Sequence, residues 1–84
     1  MYYVYLLESL ADNDRRYIGF TEDLRRRLGE HNEGKLPTTA PYRPWRVATY
    51  LAFSEKKRAL SFEKYLKSGS GHAFARKRFW PSGM

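Results

Sequence analysis

Eighty-four residues with no cysteine allow one small domain and exclude a disulfide framework or a thiolate metal site. The formal net charge of +7 is confined to one half. Residues 1–42 balance to −1 (6 Lys/Arg, 7 Asp/Glu), and residues 43–84 balance to +8 (10 Lys/Arg, 2 Asp/Glu). This asymmetry suggests a polyanionic partner, most simply nucleic acid; the plainer reading is a solvated basic surface. A chain this short buries only about 60–65% of its unfolded surface, and a 17% aromatic content helps by burying much area per residue. Met1 to Leu7 lacks a basic leader and a small-residue cleavage site, so no signal peptide is expected. No run approaches membrane-spanning length. The absence of cysteine fits a reducing cytoplasm, the expected location.

Tyr2 to Leu7 is aromatic and aliphatic throughout, which predicts a strand covered on both faces and central in its sheet. Ser9 to Asp14 is polar and Asx-rich, a turn. Arg15 to Phe20 is the second strand, and the short connection predicts an antiparallel hairpin. Alternation by two puts Tyr3 and Tyr5 on one face, and Tyr17 and Gly19 on one face; the register that would align the two pairs is open. Gly19 reads either as a turn glycine or as room for a backbone or phosphate to approach. Thr21 is the expected N-cap of the first helix, with Glu22 and Asp23 in its first turn, where negative charge is favoured. Asn32 or Gly34 is expected to end that helix in the left-handed conformation. Leu36 to Pro44, with three prolines, is an irregular loop. In Trp45 to Phe53, Val47, Thr49, Leu51 and Phe53 alternate against Arg46, Ala48, Tyr50 and Ala52, a third strand that fits a small α/β sandwich. Ser54 is read as the cap of a second helix, and Ser70, within a Ser68-to-Gly71 connector, as the cap of a third. Phe74, Ala75 and Phe79 form the buried side of the third helix, and Pro81 marks its end.

The two longer helices carry an anomaly. At roughly 100° per residue, Leu24, Arg27, Leu28 and His31 share one stripe, while Arg25, Arg26 and Glu30 point elsewhere. On the second helix Ala59, Phe62, Glu63 and Leu66 share another, leaving Lys56, Lys57, Lys64 and Lys67 exposed. A helix with only core duties puts apolar residues on such a face. Arg27, His31 and Glu63 therefore face inward, joined by Tyr5 and Tyr17 if the register permits. One reading is an interior Arg27–Glu63 ion pair with His31 as a neutral core residue. Such a pair brings little net stability. The other reading is a site for phosphodiester cleavage. Arg27 suits a phosphate by its fork geometry and permanent charge. Glu63 suits Mg²⁺, which keeps several waters and needs only one or two carboxylates. A tyrosine serves as base only where nearby cations lower its pKa from about 10, and His31 can share or orient the proton. With two histidines, a structural zinc site is not expected. No nucleotide-hydrolase phosphate loop is present.

In order and spacing these residues resemble the GIY-YIG nuclease superfamily, most of all its small stand-alone bacterial members. The first signature is Tyr3-Val4-Tyr5 and the second Tyr17-Ile18-Gly19. Thr21-x-Asp23-Leu24-x-x-Arg27-Leu28-x-x-His31 follows, then Ala59-x-x-x-Glu63-x-x-Leu66-Lys67-Ser68. The resemblance implies a single nuclease domain over residues 1–84, with a three-stranded antiparallel sheet flanked by about three helices in β-β-α-β-α-α order, an α+β fold. It implies one divalent ion, Mg²⁺ or Mn²⁺, held by Glu63, and Arg27 as the phosphate-stabilising cation. Tyr5 and Tyr17 enter as base and orienting partner, with Tyr17 preferred as base, and His31 lies near the nucleophile. Tyr3 replaces the first signature glycine, and Phe20 stands where some relatives carry a lysine.

The leading expectation is a metal-dependent endonuclease on DNA, with RNA as the other substrate, low in sequence preference and acting in repair or recombination. Its phosphate contacts would come from Gly19, Lys56, Lys57, Arg58, Lys64, Lys67, Arg76, Lys77 and Arg78. The alternative is a nucleic-acid-binding module of the same fold with weak or no catalysis. A membrane surface is not expected, because Phe74, Phe79 and Trp80 are needed for so small a core. A monomer or weak dimer, with targeting from a partner protein, completes the expectation.

Overall fold

The N-terminal aromatic and aliphatic run forms β1 (Tyr2–Ser9), the middle strand of a three-stranded antiparallel sheet. It is flanked by β2 (Arg16–Thr21) and β3 (Trp45–Phe53). The computed structural model describes residues 1–80; Pro81, read as the end of the third helix, lies outside the described residues. Between β2 and β3 come α1 (Leu24–Asn32) and a 3-10 turn at Ala40–Tyr42 inside the proline-rich loop. After β3 come α2 (Lys56–Leu66) and α3 (Gly69–Arg78). The β-β-α-β-α-α order is as expected.

Val4, Tyr5, Leu6 and Leu7 are all buried, because helices cover both faces of the middle strand. Val4, Leu6 and Ile18 meet Ala59, Leu66 and Ala75 from α2 and α3, with Phe62, Phe74, Phe79 and Trp80 around them. Tyr5, Leu7 and Trp45 meet Leu24 and Leu28 of α1 on the other face. The sheet thus separates two small cores.

Strand β3 departs from simple alternation. Leu6 pairs with Thr49 but Leu7 pairs with Val47, so Ala48 is an extra residue in the ladder. Such a bulge reverses the side-chain phase beyond it. Val47 consequently packs on the Tyr5 side, whereas Leu51 and Phe53 pack on the α2/α3 side, as does Thr49, whose hydroxyl donates to Phe79 O at 2.6 Å. The expected single face of Val47, Thr49, Leu51 and Phe53 is corrected accordingly.

Three caps also differ. Thr21 pairs with Tyr3 and remains in β2; the cap is Asp23, whose Oδ1 accepts from Arg26 N at 3.1 Å. Glu22 and Asp23 therefore precede the helix. The α2 cap position is Glu55 rather than Ser54, with no side-chain cap bond, because its carboxylate accepts from Arg58 Nε at 2.9 Å. Ser68, not Ser70, caps α3 by accepting from Gly71 N at 3.2 Å. At the end of α1, Gly34 takes the left-handed conformation, φ 77°. Asn32 instead ties the helix to β3: its Oδ1 accepts from Trp45 N at 2.6 Å and its Nδ2 donates to Trp45 O at 3.1 Å.

Candidate active site

The β1–β2 register pairs Tyr5 with Gly19 and Leu7 with Tyr17. This puts both tyrosines on the α1 face, with ring centroids 6.3 Å apart. A Cβ at Gly19 would lie 2.4 Å from both Cζ and the hydroxyl oxygen of Tyr5. Gly19 is thus a strand glycine rather than a turn glycine. What approaches it is the Tyr5 ring.

His31 closes the group. Its ring centroid lies 5.7 Å from that of Tyr5 and 5.1 Å from that of Tyr17. Nε2 is 2.9 Å from the Tyr5 hydroxyl, and Nδ1 is 2.6 Å from Thr39 Oγ1. Both His31 and Tyr5 are almost wholly shielded from solvent, at 0% and 1% exposure. Burial, then the neighbouring Arg27 charge, lowers the His31 pKa, with Glu30 opposing, so the imidazole is neutral. Burial, then Tyr17, pushes the Tyr5 phenol up to about 12; Arg27 opposes and Glu63 adds to the rise. Arg27 by itself does not activate Tyr5, where desolvation outweighs it.

One tautomer satisfies all of these contacts. Thr39 Oγ1 also reaches Leu36 O, at 3.5 Å, which directs its proton there and leaves the oxygen to accept Nδ1–H. Nε2 then accepts from the Tyr5 O–H. Thr39 is itself fixed by its carbonyl, which accepts from Trp45 Nε1 at 2.8 Å. Sequence reasoning missed Thr39, which lies in the proline-rich loop and belongs to no periodic pattern.

Arg27 and Glu63 do not form the interior ion pair. Arg27 Nε donates to Glu30 Oε1 at 3.0 Å, and Lys67 Nζ donates to Glu63 Oε2 at 3.0 Å. Each charge finds a partner one helical turn away. Glu30, expected to point elsewhere, is half-buried and also pairs with Arg26 at 3.3 Å. Tyr5, Tyr17 and His31 thus pack ring against ring, and the charges of Arg27 and Glu63 both bear on the Tyr5 phenol. Tyr17 and Lys67 border a common cavity of ≈ 370 Å³ beside the β2 edge.

Residues 1–77 match the GIY-YIG catalytic domain model. The chain belongs to the GIY-YIG family. It is 39% identical over 72 residues to a UPF0213 protein of Lacticaseibacillus paracasei, covering 84% of this chain and 79% of that one. A structure-specific endonuclease subunit SLX1 homolog of Giardia intestinalis is 40% identical over 65 residues, 73% of this chain but 18% of the relative. The solution structure of the UPF0213 protein BH0048 of Bacillus halodurans superposes with a TM-score of 0.57 at 31% identity, covering 96% of this chain and 89% of that chain.

The two departures from the GIY-YIG signatures have packing explanations. Tyr3 is half-buried with its ring edge-on to Tyr50, centroids 6.0 Å apart. Phe20 stacks on Tyr2 at 6.3 Å and joins the α2/α3 core, while also bordering a ≈ 320 Å³ cavity with Arg26 and Arg27. Among the described residues no three His, Cys, Asp or Glu side chains converge as a metal cage. Glu63 is thus a single hard oxygen donor. That fits an ion which keeps most of its waters, as Mg²⁺ does.

The basic residues divide into separate groups. Lys67 and Arg76 border the Tyr17 cavity. Lys57 and Arg58 instead line an apolar groove with Phe53, Phe62 and Tyr65, while Lys56, Lys64 and Lys77 are exposed. Arg78 lies over the Phe74 ring, 5.7 Å from its centroid. Arg16, His72 and Trp80 border the Tyr17 cavity as well. Sequence reasoning did not group them because the β2 edge and α3 meet only in the tertiary fold.

Proposed function

We propose that this chain is a metal-dependent endonuclease that hydrolyses phosphodiester bonds in DNA with little sequence preference. The observation that carries the reading is the packed group of Tyr5, Tyr17 and His31 in a GIY-YIG domain, with the charges of Arg27 and Glu63 bearing on Tyr5. Tyr17 is the better base. Tyr5 is buried, holds its proton and is bonded to His31, whereas Tyr17 is half-buried and borders a cavity. Tyr17 would act as its phenolate, its phenolic proton having passed to solvent; water would add to phosphorus as that phenolate takes the water's proton. Arg27 would face the charge growing on the non-bridging oxygens. The phosphorus–oxygen bond to the departing strand then breaks, and the released oxygen gains a proton from solvent. Tyr5, held by neutral His31, orients Tyr17 through ring packing. Glu63 would hold the divalent ion, which when bound polarises the phosphoryl group.

The Giardia relative is named a structure-specific endonuclease subunit. The word subunit in that name supports targeting by a partner protein; a role in repair or recombination is part of the proposal. The test is nicking of supercoiled plasmid by purified protein with Mg²⁺ or Mn²⁺. Nicking should stop with a chelator and fall by about a hundredfold or more in Glu63→Gln, the scale of losing one catalytic group. Nicking unchanged in Glu63→Gln would overturn the reading. The second reading, a binding module with weak catalysis, draws on the +8 half of the chain. It predicts salt-sensitive DNA binding without metal-dependent nicking.

A further inference from the structure

The cavity beside Tyr17 has a composition that proton transfer alone does not require. Four segments meet there: the β1–β2 turn with Asp14, β2 with Arg16 and Tyr17, the end of α2 with Lys67, and α3 with His72 and Arg76, followed by Trp80. Lys67 is engaged by Glu63. Among the described residues neither Arg16 nor Arg76 forms a salt bridge. The Arg16 guanidinium carbon lies 4.7 Å from the Trp80 ring centroid, and Trp80 is steadied from below by the α2/α3 core. An aromatic ring with cations beside it is the combination that holds an unstacked base and its phosphate. The volume of ≈ 370 Å³ lies within the range of small-ligand sites, about 300–1,000 Å³. Asp14 argues against a bare anion: it would repel a phosphate at its end of the cavity, but it accepts hydrogen bonds from a base or sugar.

We infer that this cavity holds one unpaired nucleotide of the substrate strand. Arg76 and His72, one turn apart on α3, face its phosphate; Trp80, Arg16 and Asp14 take its base and sugar. Its place next to the cleaved bond rests on Tyr17 acting as proposed. Nucleotide binding does not. A base still stacked in duplex cannot enter such a recess, so strands with unpaired nucleotides are the preferred ligands.

The test uses the whole chain with a chelator present, so that binding is read without cleavage. Fluorescence anisotropy with a labelled single-stranded thymidine oligonucleotide should show Kd raised about fivefold in Arg76→Ala and in His72→Ala. Arg25→Ala, the loss of an exposed arginine on α1 outside the cavity, should change Kd by less than about twofold. In the wild-type protein the Trp80 indole N–H resonance should shift on titration with the same oligonucleotide. Equal losses in Arg25→Ala and Arg76→Ala, or a Trp80 resonance unmoved at saturation, would overturn the inference. The two readings separate cleanly. A Trp80 shift without metal-dependent nicking keeps the nucleotide cavity and removes the nuclease. Glu63-dependent nicking with an unmoved Trp80 does the reverse.

Discussion

Thr39 controls the most buried polar group of the site without being a member of it. Its Oγ1 accepts the Nδ1–H of His31 at 2.6 Å, which leaves Nε2 free to accept from Tyr5. Thr39→Val keeps the volume and removes that acceptor. A buried N–H left without a partner costs about 1–3 kcal/mol, so urea denaturation should show the unfolding free energy lowered by that amount, read as a lower midpoint with an unchanged slope. Thr39→Ser should restore it. Nicking should fall in Thr39→Val as well, because the imidazole loses the bond that fixes its tautomer. Three of the candidate residues stood out in the sequence because each breaks a pattern. Arg27, His31 and Glu63 occupy helix positions that amphipathicity reserves for apolar side chains. Thr39 breaks none, since a loop carries no periodicity to violate. Gly19 was visible as a glycine, but its reason, the Tyr5 ring 2.4 Å from a notional Cβ, depends on strand register.

Helices α2 and α3 meet at a corner that admits no side chain at one position. A Cβ at Gly71 would lie 1.8 Å from Tyr65 O and 2.6 Å from Leu66 Cα. Both are backbone atoms and cannot swing aside. In an open helix interior, Gly to Ala gains about 0.5–1 kcal/mol. At Gly71 the sign should reverse, with a loss of about 1–3 kcal/mol or more from overpacking. Gly29→Ala on α1, where nothing lies within 4 Å, should show the ordinary gain. Chemical denaturation of the two variants checks the contrast; a gain at Gly71 would mean that the helices do not pack this closely. The type and order of the elements were readable because their apolar periods are distinct. Their finer features were not. Serine, threonine, aspartate and glutamate stand side by side at the helix starts, and ladder pairing of Thr21 and side-chain reach choose among them. The Ala48 bulge was hidden for a similar reason: Trp45 to Phe53 alternates acceptably as written, and only pairing with β1 reveals the extra residue.

At the scale of the whole molecule the sheet separates a polar cluster, buried between β1, β2 and α1, from a basic surface contributed largely by α2 and α3. That cluster makes stability depend on pH at both ends. His31 stays neutral in the fold because burial and Arg27 lower its pKa below 6.5. In the unfolded chain it protonates as pH falls through 6.5, so the unfolded state binds the extra proton and stability declines on the acid side of that value. Tyr5 behaves oppositely. Its phenol stays protonated in the fold to about 12, while the unfolded chain ionises near 10.0. Stability therefore declines as pH rises from 10.0 towards about 12. Urea midpoints measured across the range should form a plateau between these limits and fall on both sides. Tyr5→Phe should be less stable at neutral pH, because His31 Nε2 loses its donor, yet its alkaline decline should flatten. An alkaline decline equally steep in Tyr5→Phe would assign that limb to other tyrosines. A plateau running undiminished well below 6.5 would show that His31 protonates in the fold as readily as in water, and would remove the neutral imidazole on which the orientation of Tyr5 depends.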